Sequence, residues 1–303
     1  MPFVTFLRSV TRISLATKLA CTALAWCPVA WAQQSDLSEP VYHVASETPP
    51  AQATVTPPAV AQPQMPFNLT QQPGEHPLAP VIRVAEQSLL ILDQNVQDYS
   101  CTFKKHERID GELGEPQQIF LKVMHQPFSV YMAFLQPFPG REVAFVNGLN
   151  NNELVVLDCG WKRKIGKLHL DPEGATAMQG QKYPITRVGI RNLTAQLIEV
   201  AKADMQFAEC DVTTVPNQKV EGRLTTMVQI VHPVARQNFR AYAARIFFDN
   251  ELRIPIHYDS YLWPEAPSQA PPLEGSYTYS NLKINNGFNA IDFDSENNPD
   301  IFK

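Results

Sequence analysis

Beyond residue 98 the chain is mostly short stretches that alternate apolar and polar residues, each closed by a turn signal. That pattern restricts it to an antiparallel sheet. Residues 99–108 place Cys101 and Phe103 on one side and Thr102, Lys104 and His106 on the other, before a turn at Asp110-Gly111. In the return strand Ile119, Leu121 and Val123 alternate with Gln118, Lys122 and Met124. Phe128, Val130, Met132 and Phe134 then form one face of a third strand. A fourth strand is expected at 142–146 and a fifth at 154–158. They are joined through Asn147-Gly148-Leu149-Asn150-Asn151-Asn152, where glycine and asparagine tolerate the left-handed backbone of a tight turn. Strands resume at 210–215, 222–232, 241–248, 253–263 and 277–284, with Asp249-Asn250 turning one hairpin.

Two segments carry helical spacing instead. Val81, Val84, Ala85, Ser88, Leu89, Leu92 and Val96 predict a helix that begins at Pro80, which suits a first turn, and ends near Asn95. Ile190, Leu193, Leu197, Ile198 and Ala201 predict a second, after an irregular stretch over 160–184. The fold class is therefore α+β: a strongly curved antiparallel sheet, an open half-barrel, with two or more helices covering its concave face. Such a sheet has an apolar interior that helices must cover or a ligand must fill.

Residues 1–32 read as an export signal. Arg8, Arg12 and Lys18 give a positive start with no acidic residue. A short apolar run over 19–29 follows, and Ala30-Trp31-Ala32 has the small-x-small pattern of a cleavage site. The run falls short of the roughly 20 apolar residues that a comfortable membrane span needs. Cleavage after Ala32 is the expectation. An uncleaved anchor stays open if Trp31 disturbs processing. Lipid attachment at Cys27 is opposed by bulky Trp26 just before it. The expected location is periplasmic or extracellular.

Residues 33–78 carry Pro49, Pro50, Pro57, Pro58, Pro63, Pro66, Pro73 and Pro77 among Ala, Gln, Thr and Ser. So few large apolar residues cannot offset the entropy of ordering, so a disordered tether is expected there, with one domain over 79–303.

Chemistry is thinly signalled. The chain's formal charge is −5 and becomes more negative without the leader, which argues against nucleic acid as a partner. His106, His125, His169, His232 and His257 stand singly, with no metal-ligand spacing, so no metal or cofactor is expected. Neither GxSxG nor CxxC occurs, and no catalytic residue is assigned. Of Cys101, Cys159 and Cys210, the first and last fall in strand-like segments, so one bridge between them is conceivable, and packed free thiols are at least as well supported. Asp158, Asp171 and Glu173 near the irregular stretch suit a solvated loop.

Two candidate sites remain. Met132, Phe134, Val143, Phe145, Tyr242, Ile246 and Ile256 are expected to line a cavity for a hydrophobic ligand: an acyl chain, lipid or lipoprotein tail. Trp161, Lys162, Arg163 and Lys164 form the one dense basic cluster, beside an aromatic, and suit surface docking to a partner or peripherally to a membrane. The expected function is non-catalytic ligand binding. The alternative is an envelope protein-interaction or sensor module whose core is merely structural.

A family resemblance adds to this. Pro139-Gly140-Arg141-Glu142-Val143, Val146-Asn147-Gly148, Leu170-Asp171-Pro172-Glu173-Gly174, Ala177-Met178 and Tyr183-Pro184-Ile185-Thr186 with Gly189 resemble the domain of unknown function 1571 family of exported bacterial proteins, over about residues 81–263. That family implies no catalytic residues. More distantly, the element order is similar to the periplasmic lipoprotein carriers (LolA/LolB type) and RseB-type sensor domains. The resemblance implies an unclosed barrel, capped by helices, that holds acyl chains.

Overall fold

The computed structural model describes residues 66–207, 210–266 and 268–302. The expected leader and most of the expected tether lie outside them.

The sheet contains β1 (Asp98–Ile109), β2 (Glu112–Leu113), β3 (Gln117–Met124), β4 (Ser129–Gln136), β5 (Glu142–Val146), β6 (Leu154–Leu157), β7 (Lys167–Leu170), β8 (Asp211–Val220), β9 (Arg223–Val231), β10 (Ala243–Asp249), β11 (Pro255–Tyr261) and β12 (Leu273–Ile284). Its order is β7-β6-β5-β4-β3-β1-β12-β11-β10-β9-β8, with β2 paired to β1 alone. All pairings are antiparallel and the sheet does not close. It is the α+β half-barrel expected from the sequence.

The order divides into two meanders. The first runs outward from β1 to the edge strand β7. The second starts at the opposite edge, β8, and works back until β12 pairs with β1. Residues 171–210 therefore have to cross from one edge to the other. They carry α2 (Ala175–Met178) and α3 (Ile190–Asp204), and α3 packs against α1 (Ala79–Asn95). Ion pairs Glu86–Lys202 and Asp93–Arg191 fix the two helices antiparallel. One end of the concavity is solid: Leu92 of α1, Val96 just after it and Ile190 of α3 join Tyr99, Leu121, Val130 and Phe145 in the main core.

The start of α3 is set by two buried tyrosines. The Ile190 N–H donates to the Tyr99 hydroxyl at 2.9 Å, and the Tyr279 hydroxyl hydrogen-bonds the Gly189 backbone. These contacts serve amides that a helix N-terminus leaves unpaired. Gly189 has φ of +114°, and a Cβ there would lie 3.0 Å from the Tyr99 oxygen, so only glycine fits. Tyr99→Phe should therefore cost about 1–3 kcal/mol, the cost of a buried N–H left without a partner, measured by chemical unfolding. A loss within error would mean that Ile190 finds another acceptor.

Three departures from expectation stand out. Residues 66–78, assigned to the tether, pack on the domain. Phe67 is buried with its ring 5.5 Å from that of Phe248, and Leu78 is buried in the same cluster. His76 Nε2 reaches the Phe207 carbonyl at 3.0 Å. Two apolar anchors suffice to order a short proline-bearing segment when a matching groove exists, which composition does not register. The stretch 160–184 holds a short strand, β7, between a 3₁₀ turn at Gly160–Ile165 and α2. Finally, the tail after β12 covers the convex face, where Phe293 and Ile301 are buried with Met124, Tyr131 and Val146. Asp98 holds its turn by accepting from the amides of Asn286 (2.6 Å), Gly287 (3.1 Å) and Phe288 (3.2 Å).

Candidate functional site

Between the sheet, the crossing segment and the first turns of α1 lies a cavity of about 950 Å³. Its location follows from the topology. The main core fills the end where α1 finishes and α3 begins. Toward the other end the concave side chains of both meanders face α3 across open space. Leu154 and Val156 of β6 line one side and Ile230 and Ile246 of β9 and β10 the other, with Leu193, Leu197 and Ala201 of α3 above. The volume is near the upper end of small-molecule sites, and the walls are largely apolar.

The structure sorts the expected lining residues. Met132, Phe134, Val143 and Ile246 line the cavity. Phe145 and Ile256 do not. Phe145 shares a face with Val143, but its ring packs 6.3 Å from that of Phe128 in the filled end. Ile256 is buried in the main core, next to a register shift between β10 and β11 that pairs Phe248 with Pro255. Tyr242 precedes β10 and meets Trp263 edge-on at 6.2 Å, outside the lining. Correct face is therefore not enough; position along the strand decides.

The larger surprise is charge on the inner wall. β1 continues its inward face from Cys101 and Phe103 to Lys105 and Glu107, both buried. Lys105 Nζ donates to Glu107 Oε2 at 3.0 Å and to Gln181 Oε1 at 2.6 Å, and the Tyr277 hydroxyl donates to Glu107 Oε1 at 2.9 Å. All four residues line the cavity. Burial, reinforced by the Glu107 charge, pushes the Tyr277 hydroxyl far above its ordinary pKa, so it stays a donor. The signal was present in the sequence, since Lys105 and Glu107 fall in phase with Phe103. A second polar spot holds Asp204, His232 and Arg240. Burial raises the Asp204 carboxyl although His232 and Arg240 oppose it, and His232 Nε2 lies 3.5 Å away.

The basic cluster sits at the mouth. Trp161 is 73 % exposed and Lys162 and Lys164 are exposed, whereas Arg163 is tied to the Gly140 carbonyl at 2.8 Å and to Glu142 at 3.7 Å. Asp158 takes Arg141 Nε at 2.8 Å, with Lys162 at 3.8 Å. Cys101, Cys159 and Cys210 are free thiols, and burial pushes Cys210 up to about 11. Among the described residues no group of three or more His, Cys, Asp or Glu could hold a metal ion. No helix among them is long and apolar enough to cross a membrane.

The family model for proteins of unknown function DUF1571 matches residues 96–302. The chain belongs to that family. The match starts later than the resemblance noted above and continues through the C-terminal tail, so α1 precedes it. No curated protein sequence matches. Solved structures similar to this chain include the lipoprotein LppX of Mycobacterium tuberculosis (13 % identity, TM-score 0.38, covering 68 % of this chain and 98 % of that one). Another is a LolA superfamily protein of Nitrosomonas europaea (8 %, 0.27, 70 % and 96 %). The MucA/MucB complex of Pseudomonas aeruginosa is a third (14 %, 0.39, 72 % and 61 %).

Proposed function

We propose that this is an exported, non-catalytic binding protein for an amphiphile carrying an alkyl chain: a fatty acid, a lipid or a lipoprotein tail. The observation that carries the reading is the apolar cavity of about 950 Å³ under α3, with walls from both meanders. Each buried methylene contributes about 0.8 kcal/mol, so a chain of about ten contributes roughly 8 kcal/mol before the costs of association. The Lys105–Glu107–Tyr277–Gln181 patch supports an amphiphile over a plain hydrocarbon. Its charges cancel within the pair, which suits a neutral hydrogen-bonding head such as an ester or amide. The export signal read over 1–32 supports action outside the cytoplasm.

The test has two arms. Mass spectrometry of lipid released from protein purified without detergent should find a co-purified amphiphile. Delipidated protein should bind a dansyl-labelled fatty acid saturably. The double variant Val156→Trp/Leu197→Trp, filling the space from both walls, should weaken that binding at least about tenfold, since overpacked chains no longer fit. Its melting temperature should move by only a few degrees. No released lipid together with no saturable probe binding would sink the proposal.

A further inference from the structure

The cavity mouth carries an exposed apolar and basic tip. Lys162, Ile165 and Leu168 line the cavity and are also exposed, so they mark where it meets solvent. Ile165 is 59 % exposed and neighbouring Trp161 73 % exposed, on a 3₁₀ turn in which no residue is buried. Large apolar side chains this bare, on one short segment next to a cavity, are unusual on a surface that faces only water. Lys162 and Lys164 add positive charge on the same turn, while Arg163 anchors the turn to β5 through Glu142. The whole chain is acidic, at −5, so an anionic surface repels most of the protein and attracts this tip.

We propose that the Gly160–Ile165 turn docks the protein on an anionic lipid bilayer, with Trp161 and Ile165 entering the headgroup region and Lys162 and Lys164 meeting lipid phosphates. Tryptophan favours that depth because its ring is apolar and its N–H is polar. Docking there turns the mouth toward the lipid phase, so an alkyl chain passes between bilayer and cavity without crossing water. A lipid surface fits better than a protein partner. The tip is one short turn with flexible lysines, the chemistry of a fluid charged interface, and it is continuous with the opening through which a lipid would move. In that purpose the inference rests on the amphiphile reading; the docking itself does not.

The test uses the full chain with phosphatidylcholine vesicles and with vesicles that also contain phosphatidylglycerol. Cosedimentation should be strong only with phosphatidylglycerol and should fall as salt rises. Brominated acyl chains should quench emission that Trp161→Phe abolishes. Trp161→Ser/Lys164→Gln, neither residue lining the cavity, should weaken vesicle binding about thirtyfold or more. The same variant should bind the dansyl fatty acid as the parent does. Equal vesicle binding by parent and variant would overturn the proposal, as would no preference for the anionic vesicles. So would a variant that binds vesicles normally but loses a complex with a purified envelope protein, since the turn would then be a protein contact. Lost fatty-acid binding by the parent with vesicle docking intact would remove the cavity reading and leave the docking surface standing.

Discussion

Lys105→Met is expected to cost about 3–5 kcal/mol of stability, and adding Glu107→Leu should restore most of it. The two side chains are 9 % and 7 % exposed, on an inner wall that is largely apolar. Removing one partner leaves the other's charge in a low-dielectric site with too few hydrogen bonds, which is far more expensive than losing a surface ion pair. Removing both returns the wall to hydrocarbon. The Tyr277 hydroxyl and the Gln181 amide then lose their partners, so recovery should stop short of complete. Guanidinium unfolding of the parent, both single variants and the double gives the coupling directly. A single-variant loss below about 1 kcal/mol would mean water solvates the pair, and the inner wall would then be wetter than its burial implies. The cycle has a functional edge too. If the patch receives the ligand's polar end, the double variant should keep its affinity for a plain alkyl chain and lose its preference for an amphiphile.

Asp249→Ala should be comparably severe, at about 3–5 kcal/mol, or roughly 6–20 °C in melting temperature for a domain of this size. Asp249 is fully buried at the β10–β11 turn. Its carboxylate pairs with Arg223 through both oxygens and accepts from the amides of Glu251 (2.9 Å) and Leu252 (2.8 Å). Burial pushes its pKa up, but the Arg223 hydrogen bond and the two amides together outweigh burial and leave it below the ordinary value. Burial likewise pushes Asp158 and Asp259 up, but hydrogen bonds and charge from Arg141 and His257 respectively help outweigh it and leave both below the ordinary value. A lowered folded-state pKa stabilises at any pH above the unfolded value, near 4, and that stability fades as pH falls through the folded value. The carboxylates' contribution should therefore hold down to about pH 5 and be lost progressively below pH 4. Asp249→Ala should start lower and fall less steeply over the same range, because one of the contributing carboxylates is gone. Parallel slopes would show that Asp249 does not drive acid unfolding.

How much of this the sequence disclosed depended on periodicity. Strands whose alternation persists for six or more residues, such as β1, β3 and β4, were legible, as were both long helices. β7 was missed: Lys167, Leu168, His169 and Leu170 alternate for only two periods, too briefly to stand out from a loop. The tail escaped for a different reason. Phe288, Phe293 and Ile301 follow no repeat, so nothing local announces that they cover β4 and β5. In the cavity, parity identified Met132, Phe134, Val143 and Ile246, but the filled end claimed Phe145 and Ile256, because where the helices stop filling the concavity is a tertiary matter. Lys105 and Glu107 were legible and overlooked. Charged residues in phase with a core face contradict the usual alternation, and that contradiction was the clue to a polar patch on the cavity wall.

An unclosed sheet also leaves two borders of backbone without partners, a template on which further chains could polymerise. Here neither border offers a long flat run. β7 is four residues long, and β8 is broken by Pro216 and by Asn217 at φ of +58°, where its register with β9 slips between Val215 and Gln218. The open sheet thus does not invite fibril-like growth at its borders.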